Sequence, residues 1–154
     1  YCILCVSEYA SFFSNNFFFV SDEKAFVNEN FQLSISNSII TGNQNIEFLI
    51  EQLGNQNLDF NFINSLIKFN DVSDYFSDEI NYDFSNSEKY NNIYLNLNVS
   101  FIEPFENDLR IDQNSEIIGL GSIEFAEITP FDILNTNRLN SPDLGAYQHI
   151  IIED

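Results

Sequence analysis

The sequence predicts an all-β chain built of stacked, parallel strands: a β-solenoid. Three observations carry that expectation. The 154 residues include 17 Phe and neither Trp nor Met, and the Phe, Ile, Val and Tyr that supply most of the apolar content suit strands. Asn makes up about 15% of the chain. It suits tight turns, because it tolerates left-handed backbone and bonds its own main chain. Third, the chain repeats itself at a spacing of 58 − 31 = 27 residues. Phe31-Gln-Leu-Ser-Ile-Ser-Asn-Ser-Ile-Ile-Thr-Gly-Asn43 aligns with Leu58-Asp-Phe-Asn-Phe-Ile-Asn-Ser-Leu-Ile-Lys-Phe-Asn70. The match extends weakly to Phe48-Leu49 over Tyr75-Phe76.

Each copy alternates apolar and polar residues with period two, the pattern of a half-buried strand. In a helix Phe31, Leu33 and Ile35 would fan around three sides instead of forming a stripe. The Asn-Ser then interrupts the alternation and a second short strand follows. One such unit cannot bury its inward face, but units stacked about 4.8 Å apart can, each strand pairing with its equivalent above and below. The repeats are therefore expected to lie parallel and in register, with Phe and Ile columns in the core. Asn37 over Asn64 then forms an amide ladder at the bend.

Along the chain, Cys2 to Val6 and Phe17 to Val20 read as strands of earlier turns, and Asp22 to Asn30 as a loop. Asp71 to Asn92, acidic and rich in Asn, reads as an excursion with a helical turn near Ser87 to Tyr90. Ile93, Leu95, Leu97, Val99 and Phe101 alternate with polar or aromatic neighbours and read as one strand, which Pro104 stops. Leu109 to Ile111 and Glu116 to Leu120 are short strand candidates. From Gly121 the chain reads as a loop-rich cap. The division is 1–102 for the terminal coils, with the excursion near 71–92, and 103–154 for the final coil and C-terminal cap. With no Met at all, the chain is read as a fragment or a processed product, any export signal or anchor lying upstream.

Charge narrows the function classes. The net charge is −19, with five Lys plus Arg. No basic footprint for nucleic acid can be assembled from so few cations, and anionic membrane surfaces are disfavoured alike. No run approaches the roughly 18 apolar residues of a membrane helix. The acidity serves solubility or a calcium or cationic partner. Cys2 and Cys5 form one Cys-x-x-Cys without the second pair that zinc needs. On a strand, positions three apart face opposite sides about 10 Å apart, which is too far for a disulfide. They are read as unpaired packing thiols.

Three stretches resemble a known family. Asn37-Ser-Ile-Ile-Thr-Gly-Asn43 looks like a coil of bacterial right-handed β-helix repeats. Phe101-Ile-Glu-Pro-Phe-Glu-Asn-Asp-Leu-Arg-Ile-Asp-Gln-Asn-Ser115 resembles their final coil. Asp132-Ile-Leu-Asn-Thr-Asn-Arg-Leu-Asn-Ser-Pro-Asp-Leu-Gly-Ala-Tyr-Gln148 resembles the closing motif of the choice-of-anchor Q type of β-helix surface protein. Asn135 departs from the usual Gly there, though Asn also tolerates positive φ. The resemblance implies a right-handed parallel β-helix of the pectate-lyase-like kind. It also implies export to the outer cell surface, often through an N-terminal lipid anchor, and no single activity.

That fold also hosts polysaccharide lyases and glycoside hydrolases. A lyase wants clustered carboxylates with an Arg or Lys base, and the cations are Lys24, Lys68, Lys89, Arg110 and Arg138. Lys68 has Asp71 nearby in sequence. Arg138 is read as pinning the cap with Asp132 or Asp143, and His149 as structural. Among 24 acids some close pair is inevitable and carries no weight. Asp71, Asp74, Asp78, Glu79 and Asp83 lack EF-hand spacing and read as a solvated loop. The expectation is no catalytic residue, no cofactor and no metal site: a non-catalytic structural or binding module, with polysaccharide or a surface glycan as partner. The alternative is the end of a polysaccharide-cleaving enzyme whose groove lies upstream.

Overall fold

The computed structural model describes residues 2–5, 12–15, 17–20, 25–28, 30–52 and 57–149. Among these the fold is all-β apart from one six-residue helix and two single 3-10 turns. The strands are β1 (Cys2–Cys5), β2 (Phe12–Asn15), β3 (Phe17–Val20), β4 (Ala25–Asn28), β5 (Phe31–Ser36) and β6 (Ile39–Gly42). They continue with β7 (Phe48–Glu51), β8 (Leu58–Ile63), β9 (Leu66–Ile67), β10 (Tyr90–Asn91) and β11 (Tyr94–Leu95). Last come β12 (Phe101–Glu103), β13 (Asp108–Ile111) and the helix α1 (Ile123–Ile128).

Three parallel ladders organise them: β1-β6-β9-β11, β2-β7 and β5-β8-β10. From β1 to β9 the chain visits the ladders in rotation, first, second, third and back to the first; between β9 and β10 the second ladder gains no strand. The 27-residue repeat is the register of this stacking. Phe31 lies opposite Leu58, Leu33 opposite Phe60 and Ile35 opposite Phe62, while Ile39 and Ile40 face Leu66 and Ile67. The register runs further than the sequence repeat, to Phe62 opposite Tyr90 and Leu66 opposite Tyr94.

The bend from third ladder to first falls on Asn37, Asn64 and Asn92, with φ of 46°, 48° and 51°. Asn tolerates this left-handed region better than any other residue with a β-carbon except Asp. The Asn64 Nδ2 donates to Asn37 Oδ1 at 2.8 Å, and the Asn92 amide donates to Asn64 Oδ1 in turn. The serines beside them close the same corner. Ser65 Oγ accepts the Ser38 N–H at 3.1 Å and donates to the Ile63 carbonyl at 2.9 Å.

Period-two alternation sends Ile40, Phe48, Phe60, Phe62 and Ile67 inward, where they form one buried cluster with Ile50, Leu58 and Tyr90. Phe62 is fully buried at its centre, edge-on to Phe48 at 5.0 Å and stacked with Tyr90 at 6.0 Å. The alternate positions Ile39 and Leu66 point the other way, yet they too are fully buried. The C-terminal segment covers them, forming a second cluster with Ile111, Ile117 and Leu144. This segment is fastened at the Asn corner. Asn37 exchanges bonds with Ser122 main-chain N and O, each at 2.9 Å, and Asn64 donates to the Leu120 carbonyl at 2.9 Å. Gly121 sits so close that a β-carbon there would stand 2.6 Å from the Pro142 carbonyl. Residues from Ile111 onward therefore flank the first ladder.

The excursion after β9 does more than fill a solvated loop. Phe76, Tyr82 and Phe84 gather on Phe69 with ring centroids 5.1–5.6 Å from it, against the main cluster. The Tyr82 hydroxyl accepts the Ile50 N–H at 3.0 Å and donates to the Ile50 carbonyl at 3.1 Å. It thus takes the place of a strand on the free edge of β7. Lys89 Nζ lies 4.8 Å from the Phe60 ring centroid and donates to Asn81 Oδ1 at 2.8 Å. The acids tie the loop down. Asp71 accepts the N–H groups of Tyr75 and Phe76, and Asp83 accepts the N–H and the hydroxyl of Ser85.

Other expectations give way to local geometry. Ala25–Asn28, expected as loop, is a strand, antiparallel to β3. The helical turn of the excursion sits at Ile80–Tyr82, and residues 86–90 form a hydrogen-bonded turn. The strand expected from Ile93 to Phe101 is paired at Tyr94–Leu95 and then not again until Phe101 in β12, because Asn96 takes φ 58° and bends it. Past residue 100 the strands run antiparallel, β12 with β13. Glu116 to Leu120 is a turn, and the segment after Gly121 opens with α1. Phe48–Leu49 pairs with Phe12–Phe13 instead of Tyr75–Phe76. The Cys2 and Cys5 backbones are in β1; the reading of their thiols falls outside the described residues.

Replacing Asn64 tests the bend. Asn64→Ala loses both the ladder bonds and the left-handed tolerance, an expected cost of about 2–4 kcal/mol. Asn64→Gly keeps the φ and is expected to cost roughly 1 kcal/mol less. Urea melts of the two variants read the difference; equal losses would show that the backbone conformation is unimportant. The buried tyrosines give a pH test. Burial raises the Tyr90 phenol, with Tyr82 and Asp83 adding to it; burial raises Tyr82 too, with Glu51 and Glu79 adding. A raised folded-state pKa means stability that is intact below the unfolded value near 10 and lost as pH climbs past it. Phenolate absorbance is expected to fall short of seven equivalents until the chain unfolds in alkali.

Candidate functional site

Of the four cations within the described residues, each has a local task. Lys68 Nζ donates to the Gly42 carbonyl at 2.5 Å. Asp71 is occupied by its own turn, so these two do not pair. Lys89 sits over Phe60, and burial pulls its ammonium below the ordinary lysine range, with Asp83 opposing. Arg110 pairs with Asp108 two residues away at 2.5 Å. Lys24 falls outside the described residues. No three His, Cys, Asp or Glu among the described residues converge where a metal ion could be held.

The closing motif forms a buried polar knot. Asp143 is fully buried. Its Oδ1 accepts the Gly119 N–H at 2.7 Å, and its Oδ2 accepts the His149 N–H at 2.6 Å and lies 2.8 Å from His149 Nδ1. Asp132 accepts N–H groups from Leu134, Thr136 and Gln148. Arg138, 6% exposed, donates through Nη2 to the Asp143 carbonyl at 2.6 Å. Its contact with Asp143 is thus with the main chain, while the charges of Asp132 and Asp143 oppose the lowering that burial imposes on it. Asn135, at the position where the resembling motif has Gly, takes φ 68°. These groups bond one another and the backbone, which is what a fastening does; His149 is held by Asp143 as part of it.

Concave surface lies elsewhere. A groove of about 600 Å³ runs beside the first ladder, within the 300–1,000 Å³ of ordinary ligand sites. Three of its walls are Asn43, Asn70 and Asn98, each exposed and each three residues beyond a member of the paired set Ile40, Ile67 and Leu95. Past that set the register breaks: the Asn70 N–H goes to the Asn45 carbonyl, and the chain bends at Asn96. Leu97 lies among the groove's apolar lining, and Phe105, 85% exposed, stands at it after Pro104. The outward residues Gln32, Ser34, Asp59 and Asn61, the ones the alternation places on the outer face of the third ladder, line a shallower hollow of about 360 Å³. Sequence reasoning missed the groove because its far wall, Phe101 to Phe105, comes from the hairpin and not from the repeat.

Comparison with protein-family models, curated proteins and solved structures finds no match.

Asp143→Ala is expected to leave three donors without their acceptor and to cost about 3–5 kcal/mol. A urea melt checks it; a loss under about 1 kcal/mol would mean that the knot does not hold the C-terminal segment.

Proposed function

We propose that the chain is the terminal part of a right-handed parallel β-helix of the pectate-lyase-like kind, from an exported surface protein of the choice-of-anchor Q type. Its role in this reading is non-catalytic: it closes the helix and presents an outward face that binds surface or extracellular glycan. The rotation of the chain through three parallel ladders, in register at the 27-residue spacing of Phe31 and Leu58, is the observation that supports the architecture. Such a stack has rigid, regularly spaced outward positions, which suit an extended polymer.

The chemistry present supports binding over turnover. Sugar cleavage needs a positioned acid and a partner carboxylate or base. The described cations are occupied structurally, and the one His, His149, is fastened to Asp143. No helix among the described residues is long and apolar enough to cross a membrane.

Incubating the purified chain with neutral and acidic polysaccharides, with and without calcium, tests this. The expected result is retention of glycan without new reducing ends or unsaturated products. Turnover that a single acidic-residue substitution removes would overturn the non-catalytic reading.

A further inference from the structure

We infer that the hollow between the outer face of β7 and the 71–89 excursion, walled by Tyr75, Phe76 and Ile80 and edged by Glu51 and Glu79, is a binding site for a small quaternary-ammonium cation. This site stands apart from the glycan reading above and does not depend on it.

Both walls follow from local structure. Alternation along β7 sends Phe48 and Ile50 inward and leaves Leu49 and Glu51 on the outer face. Opposite them the excursion is held by its own turns. Asp71 accepts the Tyr75 and Phe76 N–H groups at 3.1 and 2.7 Å. The Glu79 N–H donates to the Phe76 carbonyl at 3.1 Å, and the Tyr82 N–H to the Glu79 carbonyl at 2.9 Å. Phe76 turns inward onto Tyr82, with ring centroids 4.6 Å apart, and the Tyr82 hydroxyl ties that ring to Ile50. The space between the walls is about 670 Å³, the size of ordinary ligand sites.

Tyr75 and Ile80 do not follow Phe76 inward. They are 83% and 72% exposed, yet both line the hollow. Core packing does not account for an aromatic ring and a branched aliphatic chain held out at its mouth. An alkylated ammonium does: ring faces attract its charge, and its methyl groups cover the apolar surface.

Charge narrows the class. The charged residues in the lining are Glu51 and Glu79, both acidic, and neither has an ion-pair partner among the described residues. Burial raises the Tyr82 phenol first, and the charges of Glu51 and Glu79 both add to it, so carboxylates from two separate elements converge on one wall. A calcium ion wants roughly six to eight oxygen ligands, whereas most of this lining is carbon. A primary ammonium brings three N–H donors that each need an acceptor; a quaternary one brings none. A ligand that also carried an anionic group would set it against the same two carboxylates. What fits is a quaternary cation with no anionic part.

NMR titration and calorimetry of the whole chain with choline test the inference. The comparison ligands are its neutral isostere, in which a tert-butyl group replaces trimethylammonium, together with butylammonium, phosphocholine and calcium. Choline is expected to bind, with the neutral isostere and phosphocholine each about tenfold weaker or more. Tyr75→Ala and Glu79→Gln are each expected to weaken choline about fivefold, while Tyr75→Phe keeps the ring and the affinity. Asp59→Asn removes the same charge from the outer face of the third ladder and is expected to leave the affinity unchanged. Tyr75 and Glu79 are exposed, so urea melts matching the parent chain will confirm that the fold is kept. The inference is overturned if the parent chain does not bind choline, or binds the neutral isostere, butylammonium, phosphocholine or calcium as tightly. Affinity that survives both Tyr75→Ala and Glu79→Gln overturns it too. So does a loss from Asp59→Asn equal to that from Glu79→Gln, which would reduce the effect to net charge.

Discussion

The structure depends on one corner. Asn37, Asn64 and Asn92 turn the backbone through the left-handed region at the same place, between the third ladder and the first, three times in succession. That conformation must recur for the flanking strands to stay in register: a circuit that bent elsewhere would shift its next strand by a residue and turn its apolar side chains outward. The residue that permits the bend also bonds its equivalent in the next circuit. Local conformational preference and long-range pairing are thereby met by one side chain. The C-terminal segment uses the same amides as its anchor, so the corner fixes both the stack and what flanks it.

Alternation explains why the molecule has two apolar clusters. A strand covered on one face only should read apolar-in, polar-out. β6 and β9 instead carry apolar residues at adjacent positions, Ile39-Ile40 and Leu66-Ile67, all fully buried. One of each pair faces the core, and the other receives the C-terminal segment. The doubled apolar residues in the sequence are the trace of a strand covered on both sides. Where β8 is uncovered, Asp59 and Asn61 alternate with Leu58, Phe60 and Phe62 as a one-sided strand should.

The repeat at 31–43 and 58–70 was legible because strand pairing copies the same environment at the same spacing. What escaped was structure that side chains improvise. Asn92 carries the third rung, but Ile93 follows it where the others have Ser, so the motif is broken in sequence while the geometry persists. The 71–89 excursion reads as acidic and polar because its three gathered aromatics belong to no period; only Tyr82 meeting Ile50 reveals its purpose. Ile93 to Phe101 alternates like a strand but lacks a continuous neighbour to pair with, and extended backbone without a partner is not a sheet. The groove joins the end of the first ladder to the tip of a hairpin, a proximity that no local pattern encodes.

The Tyr82 hydroxyl on Ile50 has a consequence for length. A phenol both accepts and donates, so one side chain stands in for the hydrogen bonds that a further strand would make at that residue. It copies a strand's bonding and nothing of its sequence, so it asks of the capped residue only a free main-chain N–H and C=O. A ladder capped in this way needs no further strand at that edge, and its opposite edge is free to differ in spacing: Phe12 pairs with Phe48 at 48 − 12 = 36 residues, whereas Phe31 pairs with Leu58 at 58 − 31 = 27. The length of chain between paired strands then becomes a variable that insertion or deletion in a connection can change while the capped edge stays the same.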